Sequence, residues 1–239
     1  MAHICDVCGR EYTRIDSLNR HVNNKDHPQD GWTKCPGCND WYNEIGCHWR
    51  FNSDHRPPLT DHQREVITGL LMSDGCINRQ SNKLPRFMCT MVTKPFIEYL
   101  NEDIFPLLGS IRRVEPGENN VQMQYNLTTS VHPELSEFAE WYTSEGKLFP
   151  EDIELTPTIL KMWYVGDGHL ANYGKRSFPI ISAANESTNQ KKLINYFESV
   201  GLSVRRTTWK DIVLEYTENG KFFEYIGNAP PGFEHKWPG

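Results

Sequence analysis

The sequence predicts an α+β protein in which a helix–strand–strand–helix–strand–strand–helix unit occurs twice, behind two small cysteine- and histidine-bearing modules. Three observations predict it. Val66-Ile67-Thr68-Gly69-Leu70-Leu71-Met72-Ser73-Asp74-Gly75 and Ile159-Leu160-Lys161-Met162-Trp163-Tyr164-Val165-Gly166-Asp167-Gly168 are near-copies, each an apolar run closed by a small residue, Asp and Gly. After Thr60 the hydrophobic period alternates between 3.6 and 2 in the same order in both halves. Before Thr60, Cys-x2-Cys pairs are followed by histidines at metal-type spacings.

Each element has a local cause. Thr60 or Asp61 caps the first motif helix, and Thr156 or Thr158 starts the second. Strands are expected near Cys76–Arg79, Arg86–Thr93, Gly109–Val114 and Val121–Thr129, with helices over Lys94–Leu108 and His132–Ser144. The second half repeats this with strands near His169–Tyr173, Phe178–Ala183, Ser203–Trp209 and Ile212–Thr217, and helices over Asn189–Val200 and Lys221–Gly227. The segments divide as 1–30, 31–58, 59–155 and 156–239. Arg56-Pro57-Pro58 makes a stiff boundary before the larger region.

The first module reads Cys5-x2-Cys8-x12-His21-x5-His27, inside the C2H2 zinc-finger spacing, with Tyr12 and Leu18 where a finger's small core needs them. Two thiolates and two imidazoles close a tetrahedral Zn²⁺ site, which supplies the folding energy so short a segment lacks. With His21 at helix position 7, Arg14, Ser17 and Arg20 fall at positions −1, 3 and 6, which touch successive bases in the major groove. Asp16 braces Arg14, and a G-N-G preference follows because arginine pairs bidentately with guanine. The second module offers Cys35, Cys38, His48 and His55 as a shortened zinc site, with Cys47 the alternative to His48. Arg50 and Arg56 are candidate phosphate contacts.

Bulk numbers set the class. The 239 residues are 38% hydrophobic, enough for a true core. No stretch is long and apolar enough to span a bilayer, and no signal peptide opens the chain, so an intracellular protein without a membrane partner is expected. Seven cysteines, with Cys76 and Cys89 outside the metal spacings, fit zinc in a reducing compartment better than disulfides. A net charge of −6 is low for a nucleic-acid protein, but a basic face can coexist with an acidic back.

The repeated motif has its own chemistry. A carboxylate at a helix C-terminus sits in the negative end of the helix dipole. Two of them, 93 positions apart in a repeat, suggest that a cation is expected at both. Gly69 and Ser73 would let two helix backbones approach, Met162 replaces the small residue in the second copy and predicts looser or offset packing there, and Gly75 and Gly168 suit left-handed helix stops.

Over roughly residues 60 to 239 the pattern resembles the LAGLIDADG homing endonucleases. The resemblance implies that the two motif helices pack at a pseudo-twofold axis and that two curved antiparallel sheets saddle double-stranded DNA. It implies that Asp74 and Asp167 each hold Mg²⁺ beside one strand, two or three ions in all, and that cleavage leaves short 3′ overhangs. A sheet lysine or glutamine near the attacking water is also implied, with Lys210, Lys221 and His132 the candidates. The strands add DNA-facing residues: Gln122, Gln124, Asn126 and Thr128 share one face, and Arg79, Lys83, Arg86, Arg112, Lys175, Arg176, Arg206 and Lys210 are further contacts, mostly to phosphate. His169 either touches DNA or packs. A monomer in a prokaryotic or virus-infected cell is expected. The chain starts without a splicing Cys or Ser and ends without a His-Asn pair, which favours a free-standing enzyme over an intein. A non-cleaving regulator or an RNA maturase on the same fold is the alternative function.

Overall fold

The computed structural model describes residues 2–6, 11–23, 32–79, 84–117, 121–143, 146–174, 176–183 and 190–238. Cys8, His27, Lys83 and Lys175 lie outside them, as does the side chain of Arg50. The chain divides into two compact units, residues 1–58 and 59–239.

The first unit holds two ββα modules. Strands β1 (His3–Ile4) and β2 (Glu11–Tyr12) pair antiparallel ahead of α1 (Ile15–Asn23). Strands β3 (Thr33–Lys34) and β4 (Trp41–Tyr42) pair likewise ahead of α2 (Ile45–Phe51), and a 3-10 turn (Ser53–His55) follows. Two-residue strands and helices of seven to nine residues bury little apolar surface. Cys5, Cys35 and Trp49 are among the few buried side chains here.

The second unit opens with α3 (Asp61–Leu71). Thr60 caps it through a reciprocal capping box: Gln63 N donates to Thr60 Oγ1 (3.1 Å) and Thr60 N to Gln63 Oε1 (3.0 Å). Strands β5 (Gly75–Asn78) and β6 (Arg86–Met91), helix α4 (Lys94–Tyr99), and strands β7 (Gly109–Val114) and β8 (Gln124–Thr129) follow. Helix α4 runs into a π turn over Leu100–Ile104, so the expected helix ends before Leu108. The helix expected over His132–Ser144 is broken: His132 caps a 3-10 turn, α5 spans only Ser136–Ala139, and β9 (Tyr142–Thr143) and β10 (Gly146–Lys147) form a small hairpin.

The second half repeats the order: α6 (Pro157–Asp167), β11 (Gly168–Tyr173), β12 (Arg176–Ser182), α7 (Gln190–Ser199), β13 (Val204–Arg206), β14 (Asp211–Leu214) and α8 (Asn219–Ile226), then a 3-10 turn over Glu234–Lys236. Thr156 caps α6, with Pro157 in the first turn where its missing N–H is harmless. The two four-stranded antiparallel sheets have matching orders, β5-β6-β8-β7 and β11-β12-β14-β13. Their registers match too: Gly75 opposes Cys89 as Gly168 opposes Ile181, and Met88 opposes Thr128 as Ile180 opposes Val213.

Both motif helices are buried on nearly every side. Val66, Ile67, Leu70 and Leu71 of α3, and Leu160, Trp163, Tyr164 and Val165 of α6, are fully enclosed. Such all-round hydrophobicity belongs to a helix at the centre of a domain. A chain of rings, Trp141–Phe149–Trp163–Phe197, runs through the core with centroids about 6 Å apart.

Candidate active site at the paired helix ends

Helices α3 and α6 meet through equivalent positions of the repeat. A Cβ on Gly69 would stand 2.6 Å from Met162 Cβ and would overlap the Ile159 carbonyl oxygen; one on Gly166 would overlap the Ser73 side chain. The looser packing expected from the size of Met162 is therefore absent. Gly69 opposite it leaves the room that Met162 fills, and the helices stay in close contact.

The glycines after the aspartates act differently from the expected left-handed stops. Gly168 is extended (φ −92, ψ 155), and Gly75 is not among the positive-φ glycines. What demands glycine is crowding. A Cβ at Gly168 would run into the Tyr164 ring and carbonyl, and one at Gly75 would lie 2.8 Å from the Leu70 carbonyl oxygen and 2.9 Å from Phe87.

Asp74 follows the end of α3, and Asp167 is the last residue of α6. Asp74 Oδ2 lies 3.3 Å from where a Cβ on Gly166 would be, so this carboxylate sits against the end of the opposite helix. Asp74 keeps an open side to solvent, and Asp167 is half-buried. Desolvation by the surrounding helix ends pushes both carboxyl groups up. For Asp167 the nearby Asp74 charge adds to this, and its pKa rises to about 6.

Two lysines, one from each half, each tie down the motif end of their own half. Lys147 Nζ donates to the carbonyl oxygens of Ser73 (3.1 Å) and Gly75 (3.4 Å). Lys236 Nζ donates to those of Val165 (2.6 Å) and Gly166 (3.4 Å). Cations at helix C-termini satisfy orphan carbonyls and oppose the dipole. Burial lowers the pKa of both ammonium groups, while the charges of both aspartates pull it back up.

Their segments are anchored by aromatic side chains. Ile77 N donates to the hydroxyl of Tyr142, which pairs with Lys147 across the β9–β10 hairpin. Tyr164 Oη donates to the Lys236 carbonyl (2.8 Å), and Trp237 Nε1 to the Gly227 carbonyl (2.7 Å). Two carboxylates, four backbone carbonyls and two ammonium groups thus converge on one polar centre. Oxygen donors of this kind suit a hard divalent cation such as Mg²⁺.

Sequence reasoning missed both lysines. One lies on a hairpin where a helix was expected, and the other lies near the chain end, where no motif marks it. The candidates it offered instead stand elsewhere. Lys210 occupies a left-handed position (φ 67) in the β13–β14 turn, and Lys221 is bonded to Glu218 (3.1 Å). Neither is among the charges acting on the aspartates. Buried His132 accepts the Glu134 amide as a cap.

The outer sheet faces hold a mixture of the expected contacts. Arg79, Arg112 and Arg176 are exposed, and Arg86 and Gln124 are half-exposed on the first sheet. Gln122 is exposed but precedes β8 rather than lying in it. Asn126 is engaged within the sheet, its Nδ2 donating to Thr90 Oγ1 (2.6 Å) and its Oδ1 accepting from Thr128 (2.7 Å). Arg206 turns away, donating to the Lys210 and Ala183 carbonyls, and the exposed arginine of β13 is Arg205. His169 is exposed at the start of β11.

In the first unit, Cys35, Cys38, His48 and His55 place one ligand atom each within 4.8 Å of one another. His48 lies on α2 and His55 on the following 3-10 turn. Cys38 Sγ lies 3.6 Å from His48 Nε2, which is 3.1 Å from His55 Nδ1; such separations suit the edges of a tetrahedral Zn²⁺ site. Burial opposes ionisation of Cys35, but backbone hydrogen bonds, the Cys38 amide first and then the Gly37 amide, help to outweigh it and lower its pKa. Cys47 is exposed and bonded to Glu44, outside the group. Cys5 and His21 of the first module are buried, and Tyr12 packs on His21. Arg14 and Arg20 are exposed, Ser17 is half-exposed, and Asp16 pairs with Arg14 at 3.6 Å. Arg56 is no phosphate contact: it is buried and donates to the Trp49 carbonyl (2.9 Å).

Among the described residues no helix is long and apolar enough to cross a membrane. No curated protein matches the chain significantly. Residues 64–221 match the model of the LAGLIDADG DNA endonuclease family, a stretch that takes in Asp74, Lys147 and Asp167. With two thirds of its length matched, including both motif helices and both sheets, the chain belongs to the LAGLIDADG DNA endonuclease family.

Proposed function

We propose that the protein is a site-specific homing endonuclease that makes a Mg²⁺-dependent double-strand break in a long DNA target. The observation that carries this reading is the doubling of the site: each half brings one aspartate and one lysine to the same pair of helix ends. Two phosphodiester bonds, one per strand, need two such sets. The two helices then meet at a pseudo-twofold axis, and the equivalent contacts Gly69–Met162 and Ser73–Gly166 support it.

Asp74 and Asp167, with helix-end carbonyls, are the residues that would hold Mg²⁺. The bound ion supplies Lewis-acid polarisation of the phosphoryl oxygens and a more acidic water. Lys147 and Lys236 place partly desolvated positive charge beside the scissile phosphates, where it opposes the negative charge that grows on phosphoryl oxygen in the transition state. Water attacks phosphorus, the bond to the 3′ oxygen breaks, and short 3′ overhangs remain. The aspartates bear on the non-cleaving alternative as well. A non-cleaving regulator gains nothing from two paired carboxylates, and this chain keeps both; an RNA maturase can keep them, so the pair separates the endonuclease from the regulator and not from the maturase.

Cys35, Cys38, His48 and His55 hold one structural Zn²⁺, and Cys5, Cys8, His21 and His27 a second. Arg14, Ser17 and Arg20 extend recognition to a flanking G-N-G element, and tethering raises the local concentration of this second reader. The protein acts as an intracellular monomer encoded by a mobile element.

The test is cleavage selection on a randomised duplex library in Mg²⁺, with Ca²⁺ as the non-cleaving control, sequencing both cut ends. Paired cuts offset by a few nucleotides within one long site are expected. Binding in Ca²⁺ without cuts in Mg²⁺ would favour the regulator.

A further inference from the structure

The matching registers allow the two sheets to be compared residue by residue. On the outer face of the first sheet, Asn78 pairs with Arg86, and Met88 with Thr128. At the same places in the second sheet stand Ala171 with Phe178, and Ile180 with Val213. Three of these four first-sheet positions carry hydrogen-bonding side chains; all four in the second sheet are apolar. Inward positions such as Ile181, Ile212 and Leu214 are fully buried; on the outer face Val213 is closely covered too, and Phe178 and Ile180 are the half-buried apolar pair that faces outward.

Phe178, Ile180 and Val213 line a concavity of about 570 Å³ together with Arg176, Arg205 and Trp209. Trp209 is 82% exposed. Asp211 also lines it, and Arg205 lies 3.8 Å from Glu215, while Arg176 sits over the Tyr216 ring at 5.1 Å. Lys210 adjoins Trp209. Among the charges that line it, two arginines stand against one aspartate, which places cationic groups beside the apolar pair in a chain of net charge −6.

Resting on the DNA-endonuclease reading above, we infer that the second sheet reads its half of the target through thymine C5 methyl groups. The major-groove edge of thymine offers one hydrogen-bond acceptor and one methyl, and the methyl is the apolar feature a Phe178–Ile180 surface can hold. The arginines that line the concavity take the flanking phosphates. The first sheet, with Arg86, Arg112 and Thr128, reads its half by hydrogen bonds. The target is thus chemically lopsided, with one half-site rich in thymine at the contacted positions.

The experiment uses the full-length protein and its library-selected duplex, bound in Ca²⁺, with thymine replaced by deoxyuracil in one half-site at a time. Deoxyuracil lacks only the methyl. In one half-site affinity falls about fourfold for each contacted methyl, the amount expected for one buried carbon, and in the other it is unchanged. Ile180→Gln and Phe178→Gln, each checked for fold by circular dichroism, abolish that sensitivity. Equal tolerance of deoxyuracil in both halves, with the duplex still bound and cut, overturns the inference and leaves the endonuclease reading standing. A deoxyuracil penalty that persists in both folded variants also overturns it, because the methyls are then read elsewhere. Failure to bind any duplex removes both readings together.

Discussion

Removing the negative charge of Asp167 should make this protein more stable while disabling it. The folded state holds the Asp167 carboxyl at about 6, against an ordinary value of 3.8, through desolvation and then the Asp74 charge. A tenfold change in proton affinity corresponds to about 1.4 kcal/mol, so the ionised group opposes folding by up to about 3 kcal/mol. Solvent on its open side screens part of this, and about 1–3 kcal/mol is the expected gain for Asp167→Asn. Because the folded pKa lies above the unfolded one, the folded state is the better proton binder. The penalty is absent below about pH 4, grows between about 4 and 6, and is complete above about 6. Thermal denaturation without Mg²⁺, followed on the transition of residues 59–239, should therefore show the variant melting roughly 3–10 °C higher at about pH 8 and level with the parent near pH 4. Added Mg²⁺ should raise the parent's midpoint more than the variant's, since a ligand stabilises only the state that binds it and the variant keeps Asp74 alone. Asp167→Asn, like Asp74→Asn, should lose most double-strand cleavage and keep DNA binding. A variant that is less stable at high pH, or equally more stable at both pH values, would refute the electrostatic reasoning.

Other expectations follow from the same geometry. Lys147→Met and Lys236→Met should each slow cleavage roughly a hundredfold or more and accumulate nicked duplex, with opposite strands cut in the two variants, as strand-labelled gels would show. At limiting Mg²⁺ the cleavage rate should rise with pH through about 6 as Asp167 loses its proton, and saturating Mg²⁺ should move that inflection lower. Gly69→Ala should destabilise residues 59–239 by about 1–3 kcal/mol in urea titration, because its Cβ overlaps the Ile159 carbonyl and crowds Met162. Chelation should unfold the Cys35–His55 module and spare the larger unit; Cys38→Ser should lose one Zn²⁺ per chain by metal analysis, and Cys47→Ser none.

The sequence by itself determined most of the architecture. The order of strands and helices, the caps Thr60 and Thr156, and the aspartates at the two helix ends all follow from local periodicity and local hydrogen bonding, which neighbouring residues decide. The metal-type spacing of Cys35, Cys38 and His55 is legible for the same reason. His48 is less so, since spacing leaves Cys47 beside it as an alternative until the fold brings His48 Nε2 to 3.6 Å from Cys38 Sγ and turns Cys47 to Glu44. What only tertiary structure decided is long-range partnership. Lys147 reaches carbonyls 72 to 74 residues away, and Lys236 reaches others 70 to 71 away. Nothing in their neighbours marks them, and the hairpin that carries Lys147 reads as helix until Ile77 donates its amide to Tyr142. Arg206 and Arg205 are adjacent and chemically identical. Register alone sends one inward to the Ala183 carbonyl and leaves the other beside the groove, because a strand turns successive side chains to opposite faces. Gly75 and Gly168 look like helix stops in the sequence. The folded chain selects glycine there because Phe87 and Tyr164 occupy the space a side chain would need, and that space is fixed only once the core has packed.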